Sequence, residues 1–594
     1  MADRAILDWS DEGAPRSRRF DDVYFSREGG LEESRAVFLT GCGLPAAWQG
    51  RRRFTVGELG FGTGLNVLAL LDLWRRTGPD DGRLHIFSVE AFPLSPSDAA
   101  RALASWSELA DLAAPLIRRW PTAEGFHRID LPGLGASLDL AVMEAAEALH
   151  AWRGRADAWF LDGFSPARNP QMWRQEVLDL LAARSAPGAR AATFTVAGAV
   201  RRGLEAAGFA VERRQGFGRK AQRLEAQLAG APRSEDGLAS SVAIVGAGIA
   251  GASLARAFRR LGRDPVVISG ATVAASGNPA ALVTPRFDAG GGSMAKLHAQ
   301  AFVRAVALYE DEAPEAVIAR GALQLEAAER DRRRFDAVAS SALFEPGALA
   351  RLDPGGAAER LGEPCAAGGL WIAEALTVEP RLVLEAWLGG APRIEAQVQA
   401  LRRNGPVWEV VGAAGEAVAS ADLVCLAGGY GSRSLWPDLA LEPVRGQASF
   451  LECVEPPRAA AWGGYVTPTR TGMLFGATHD RGREDTQVLQ EDHARNLHTL
   501  AKGRPALAAM LHQGHLEGRA ALRASTQDRA PLAGEVAPGL LVLTGLGGRG
   551  FTLAPLLAEH LAAEGLGAPS PLPETLAVAV AARAFRSRRA QTPD

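Results

Sequence analysis

Short apolar runs alternate with longer segments in which apolar residues recur every three or four positions, and this rhythm fills the first 230 residues. Arg53 to Glu58 has the spacing of a buried strand, and Leu65 to Trp74 is apolar at helical period. Leu84 to Glu90, Leu138 to Met143, Ala158 to Asp162 and Ala191 to Val196 read as four further strands. Strands alternating with helices predict a parallel sheet covered on both faces. The pattern breaks at Gly230 to Ser240, GAPRSEDGLAS, a small, polar stretch with the composition of a linker. A fresh apolar strand begins at Val242, and Leu423 to Gly429 (LVCLAGG) and Leu540 to Gly545 (LLVLTG) are further buried strand-to-glycine turns. Between them, Gly290 to Pro380 and Pro443 to Leu522 show mixed patterns that suit an inserted subdomain. The tail from Val578 reads as a fraying helix.

At 594 residues the chain exceeds what one hydrophobic core serves. The pattern places one domain at 1–230, a linker at 231–240 and a second domain at 241–594. No apolar stretch is long and charge-free enough to span a bilayer, and the polar start MADRAILDWSDEG lacks a signal-peptide core. A cytoplasmic protein with no membrane and no metal is therefore expected. Cys42, Cys365, Cys425 and Cys453 are far apart with no CxxC pair, which argues against a disulfide framework or a cysteine zinc site. The net charge is only −3, yet Arg201, Arg202, Arg213, Arg214, Arg219, Lys220 and Arg223 crowd one short stretch against Glu205 and Glu212. That cluster reads either as a solvated face or as a contact for a nucleic-acid backbone.

Two glycine loops carry the chemistry. The first, Glu58-Leu59-Gly60-Phe61-Gly62-Thr63-Gly64, follows a strand and opens a helix, and its GxGxG spacing differs from the GxGxxG of a dinucleotide site. The acid before Gly60 points to S-adenosylmethionine, whose amino-acid end Glu58 can engage. Glu90, ending the next strand, stands where a carboxylate accepts from two ribose hydroxyls, and Glu144, ending the third, stands where an acid meets an adenine amino group. The fourth strand ends in Asp162, followed by Gly163-Phe164-Ser165-Pro166. A carboxylate there can orient an amine and take its proton as the nitrogen is alkylated. Phe164 and the prolines supply an apolar wall. The bland alternative is that Asp162 caps the next helix.

The second loop, Gly246-Ala247-Gly248-Ile249-Ala250-Gly251, has the dinucleotide spacing in its required setting between strand and helix. The following strand ends in Ser269, where an acid usually binds the ribose. No second GxGxxG appears in this half, which argues against a reductase binding both flavin and nicotinamide. Late in the chain Gly545-Leu546-Gly547-Gly548-Arg549-Gly550 precedes a helical run, and its helix N-terminus can face a flavin ring.

Together these segments resemble the family of bifunctional tRNA 5-methylaminomethyl-2-thiouridine biosynthesis proteins. The resemblance rests on FDDVYFSREGGLEESRAVFL, ELGFGTGLN, DGFSPARNPQMW and GFGRKAQ in the first half. In the second it rests on VAIVGAGIAGASLA, ASGNPAALVTP, RGQ, TQDRAPLAG and GLGGRGFTLAPLLAE. It implies an α/β chain: a class I Rossmann-like methyltransferase domain followed by a D-amino-acid-oxidase-like FAD domain with an inserted α+β substrate subdomain. It implies tRNA as partner, FAD and S-adenosylmethionine as cofactors, and a monomer. The reactions implied are oxidative removal of a carboxymethyl group from a wobble uridine, then methylation of the amine left behind. Cofactor contacts fall by resemblance to Ser276 and Asn278 for FAD, beside Gly246, Gly248, Gly251, Ser269, Gly547, Gly548, Arg549 and Gly550. Arg219 and Lys220 would meet the tRNA, and Arg445, Arg523 and Arg549 are the candidates for a substrate carboxylate. Two other classes stay open at this point: a fusion acting on small free amines, and a scaffold that positions RNA without flavin chemistry.

Overall fold

A computed structural model describes residues 4–9, 14–25, 29–218, 221–231, 239–270, 274–511 and 515–582. The chain divides into two compact units, Met1–Gly237 with Pro569–Glu574, and Leu238–Ala568 with Thr575–Asp594. Most of the linker, Arg219, Lys220 and the tail from 583 lie outside the described residues. One short segment departs from the expected border. Pro569–Glu574 belongs to the first unit, where Arg128 Nη2 donates to the Pro569 carbonyl (3.2 Å) and Arg153 pairs with Glu574 (2.7 Å). Contacts made across more than 400 residues leave no local signature in sequence.

The five strands read from the apolar runs form the parallel centre of the first unit's sheet, in the order Ser185–Thr193, Ala156–Leu161, Arg53–Leu59, Arg83–Val89, Ala136–Val142. Val56, Ile86, Leu138 and Phe160 are sealed from solvent, because helices lie on both faces and leave no polar side. Gly57 stands opposite Trp159, whose ring fills the space a Cβ would need; any side chain at 57 would sit 2.2 Å from it. The edges differ from the expectation. Gly125–Leu131 adds antiparallel at one side, and the hairpin Phe209–Gln215/Gln222–Leu228 adds antiparallel at the other, so the sheet is parallel only at its centre.

The second unit joins two sheets. One runs Arg393–Glu395, Val266–Ser269, Val242–Val245, Leu423–Leu426, Leu540–Thr544, Leu532–Ala537, all parallel but for the last pair. The other, built mainly from Val317–Leu325, Gly369–Val378, Glu442–Glu452, Gly472–Gly476 and Glu517–Ser525, occupies the regions with mixed patterns. The helix Gly550–Leu566 is apolar almost all round, as a helix enclosed on every side must be. Its one buried acid, Glu559, is answered by Arg304 (2.6 Å) and Arg256 (2.5 Å) from the helices Ser293–Glu312 and Ile249–Arg260. Among the described residues no helix is long and apolar enough to cross a membrane.

Candidate active sites

In the first unit the strand Arg53–Leu59 delivers Glu58 and then turns through Gly60 into the helix Leu65–Thr77. Gly60 sits at φ +94°, and a Cβ there would lie 2.1 Å from the Asp162 carbonyl oxygen, so glycine alone lets this loop meet the end of the neighbouring strand. The glycine loop and Asp162, 100 residues apart in sequence, are thereby brought together. Glu90 accepts from the backbone N–H of Gly62 (2.9 Å, Oε2) and of Phe92 (2.9 Å, Oε1). Burial pushes the Glu90 carboxyl up, and its charge adds to that of Glu144, which stands exposed at the N-cap of Ala145–Ala151.

Glu58 is 1% exposed, and Ser88 Oγ donates to its Oε2 at 2.5 Å. Burial pushes its carboxyl up to about 8, the Ser88 bond opposing and the Asp162 charge adding. Its Oε1 is buried with no partner at hydrogen-bond distance among the described residues, although the Asn66 side chain also opposes the upward shift, which leaves an acceptor fitted to a donor such as an ammonium group. Asn66 Nδ2 donates to Asp162 Oδ2 at 2.7 Å. Phe164 stacks on Phe20 (4.9 Å between ring centroids) and takes the edge of Tyr24 (5.1 Å), while its carbonyl accepts from Trp173 Nε1. The wall expected of Phe164 is thus an aromatic cluster. Phe25 packs against Trp106 in the core instead. Asn66, Ser88 and Phe20 were not foreseen as site residues; a polar residue in the first turn after a glycine loop was the available signal for Asn66.

In the second unit the loop after Val242–Val245 passes so close to the strand Leu423–Leu426 that a Cβ on Gly246 would lie 2.6 Å from the Ala427 carbonyl oxygen. Gly251 is equally constrained, since a Cβ would lie 1.8 Å from the Gly246 carbonyl oxygen. Ser276 Oγ accepts from the Ile249 N–H (3.0 Å), the first donor of the helix Ile249–Arg260. Ser269 ends the adjoining strand. Asn278 Oδ1 accepts from Arg519. A Cβ on Gly550 would touch Ile249 Cγ2 at 3.0 Å, so the starts of two long helices converge here. Gly547 and Gly548 have nothing within 4 Å of where a Cβ would stand. Two converging positive helix ends and an open glycine cradle fit a dinucleotide's pyrophosphate and an electron-rich ring.

The three candidate arginines have different fates. Arg445 is fully buried and spent: it donates to Asp492 (2.6 Å), Asp485 (2.9 Å), Gln447 (3.4 Å) and the Gln487 carbonyl. A substrate contact there would have to displace these partners, all of them within its own unit. Gly446, next along the strand, turns to the opposite face, where the Arg523 guanidinium lies against it. Among the described residues Arg523 has one hydrogen-bond partner, the Thr478 carbonyl at 3.4 Å, and desolvation lowers its basicity. Among the described residues Arg549 donates only to the Thr284 and Pro285 carbonyls and Thr284 Oγ1, and desolvation, with the Arg286 charge, pushes it down to about 10. Neither meets a carboxylate among the described residues.

Family models match the chain in both halves: an S-adenosyl-L-methionine-dependent methyltransferase over residues 107–229, and an FAD dependent oxidoreductase over residues 241–564. A Caulobacter sp. (strain K31) protein named tRNA 5-methylaminomethyl-2-thiouridine biosynthesis bifunctional protein is 58% identical over 98% of each chain. A Maricaulis maris (strain MCS10) protein of the same name is 42% identical over 99% of this chain and 97% of its own. Among solved structures, fructosyl amine:oxygen oxidoreductase from Aspergillus fumigatus matches 61% of this chain and 92% of its own, at TM-score 0.50 and 17% identity, a likeness of fold.

Proposed function

The chain belongs to the family of tRNA 5-methylaminomethyl-2-thiouridine biosynthesis bifunctional proteins, and from that premise we propose how its residues divide the work. Two reactions follow one another on a wobble uridine of tRNA. The first removes the carboxymethyl group of 5-carboxymethylaminomethyl-(2-thio)uridine, leaving 5-aminomethyl-(2-thio)uridine. The second transfers a methyl group from S-adenosylmethionine to that nitrogen, giving 5-methylaminomethyl-(2-thio)uridine. The order is chemical necessity: the first step makes the primary amine that the second alkylates.

In the second unit, FAD when bound supplies the two-electron acceptor for the C–H bond beside the nitrogen. Water then adds to the substrate imine, and the carbon fragment leaves as an aldehyde acid. Gly246, Gly248, Gly251, Ser269, Ser276 and Asn278 hold the dinucleotide, with Gly547, Gly548 and Gly550 against the ring. The substrate carboxylate falls to Arg523, with Arg549 as the second cation, because a half-buried guanidinium without an anion of its own among the described residues is matched by an anion that arrives with the substrate.

In the first unit Glu58, Gly60, Gly62, Gly64, Glu90 and Glu144 hold S-adenosylmethionine. Asp162 orients the neutral amine and takes its proton as the N–CH3 bond forms. Phe164 and its aromatic neighbours keep water from the reacting methyl. The tRNA backbone runs over the basic hairpin toward Arg219 and Lys220. One chain carries both sites and works as a monomer in the cytoplasm, where its tRNA is found.

The observation that carries the assignment is the convergence of Asp162 on the Gly60 loop, at 2.1 Å for a would-be Cβ, in a chain matched along its length by this family. Nucleoside mass spectrometry of wobble uridines tests it. The Asp162→Ala enzyme should accumulate the aminomethyl nucleoside, with methylation slowed roughly a hundred- to ten-thousand-fold and flavin reduction unchanged. Methylation at the parent rate would remove Asp162 from its role.

A further inference from the structure

One buried polar side chain in the methyl-transfer pocket has no part in the scheme above. Asn66 stands in the first turn of the helix Leu65–Thr77, directly behind the glycine loop, and is 7% exposed. Its amide donates to Asp162 Oδ2 at 2.7 Å. The surroundings are acidic: Glu58, sealed and held by Ser88, feels the charge of both Asp162 and Glu90. Carboxyls this close compete for protons, and whichever is to serve as base must keep its charge. An amide donates a hydrogen bond at every working pH and cannot ionise, which suits it to that task.

We propose that Asn66 is a positioning residue of the methylation step: its amide fixes the orientation of the Asp162 carboxylate and favours its charged form. The proposal rests on the role given to Asp162. Asn66 also acts on the neighbouring Glu58, where its side-chain hydrogen bond opposes the upward shift, but its short bond is to Asp162, so the main effect of its loss falls on turnover and on the pH profile.

The test compares Asn66→Ala and Asn66→Asp in the full chain loaded with FAD, using tRNA already carrying the aminomethyl group. Asn66→Asp keeps the shape while replacing the donor with another carboxylate, so it answers the question even if the alanine variant packs poorly. Expected is a fall in methylation kcat of roughly tenfold for Asn66→Ala and more for Asn66→Asp, consistent with losing a charge-assisted bond. The KM for S-adenosylmethionine should stay within about threefold, and the acidic limb of kcat should move to higher pH, as expected when a bond favouring the charged form is lost. Reduction of the flavin by carboxymethylaminomethyl-tRNA should not change. A kcat within about twofold of the parent in both variants overturns the proposal, as does a loss confined to KM with the acidic limb unmoved. Asp162→Ala run alongside separates the failures. If it is fully active the role of Asp162 falls; if it is inactive while the Asn66 variants are normal, only the positioning role falls.

Discussion

The two pockets carry opposite charge. In the first unit Glu58, Glu90 and Asp162 gather behind one glycine loop, and burial pushes up two of the three carboxyls. In the second, Arg523 and Arg549 stand half-buried without a carboxylate among the described residues, and desolvation pulls both down. In each pocket desolvation disfavours the charged form of these groups, and a ligand of opposite sign favours it. The ligands differ accordingly. A sulfonium donor and an amine becoming cationic suit the acids, whereas a substrate carboxylate and the ring of a reduced flavin suit the arginines. A carboxymethylamino group has both an anionic end and a nitrogen end, and the two units are fitted to one end each.

The largest effect that would sharpen this contrast comes from exchanging the roles of two arginines on neighbouring strands. Arg523→Met should lower kcat/KM for the oxidative step by about 2–5 kcal/mol, or roughly thirty- to several-thousand-fold, while methylation of ready-made aminomethyl-tRNA continues. Arg445→Met should instead destabilise the second unit by about 3–5 kcal/mol, since Asp492, which is 1% exposed, loses the partner of its Oδ2 and keeps only Arg495 on its Oδ1. Its signature is early loss of flavin on heating, with substrate affinity near normal in the protein that remains folded. If Arg445→Met impaired substrate binding at full stability while Arg523→Met did nothing, the assignment of the two faces would be reversed.

That pair also shows where sequence stops being informative. Arg445 and Arg523 are the same residue type, and alternation along a strand sorts side chains to faces only once the partner strands and register are known. The five central strands were legible because burial on both faces makes them continuous apolar runs. Both glycine loops were legible because their spacing is fixed by close backbone approach at Gly60 and Gly246. The edge strand Gly125–Leu131, GFHRIDL, mixes polar and apolar residues, since its outer side is unpaired and wet, and it passed unread. The hairpin Phe209–Leu228 was read only as a run of charge for the same reason. Asp162 could be marked as a candidate from its place at a strand end, but its partner Asn66 could not, because that bond spans 96 residues.

A smaller effect tests the acidic side of the comparison through pH. The folded first unit keeps a proton on Glu58 up to about pH 8, whereas an ordinary glutamate releases it near 4.5. Stability from this group is therefore complete below about 4.5 and declines as pH rises toward 8, by about 1.4 kcal/mol for each unit in between. Glu58→Gln, which is neutral throughout, should match the parent in hydrogen-exchange protection of the strand Arg53–Leu59 at pH 5 and exceed it increasingly toward pH 8.5. Asp139 does not confuse the measurement. Burial would raise it, but Arg128 and His85 hold it down to about 2, so its contribution is present above 3.8 and lost only as pH falls through about 2. A protection difference that stayed constant from pH 5 to 8.5 would mean Glu58 is not the group that titrates.

The smallest effect concerns the basic stretch proposed to meet the tRNA backbone. Arg201 pairs with Glu205 (2.6 Å), Arg223 with Glu225 (2.6 Å), and Arg214 with Glu212, so much of the charge that stood out in the sequence is already neutralised. Arg213 is exposed on the same strand with no carboxylate within ion-pair distance among the described residues. Binding to a phosphate releases counterions only where a cation is not already paired. Arg213→Ala should therefore raise the KM for tRNA about twofold in both reactions and reduce the slope of log KM against log salt by about one. Arg214→Ala, which frees a glutamate as it removes an arginine, should leave that slope nearly unchanged. Equal slopes for the parent and both variants would make the hairpin a solvated face and move the tRNA contact elsewhere on the molecule.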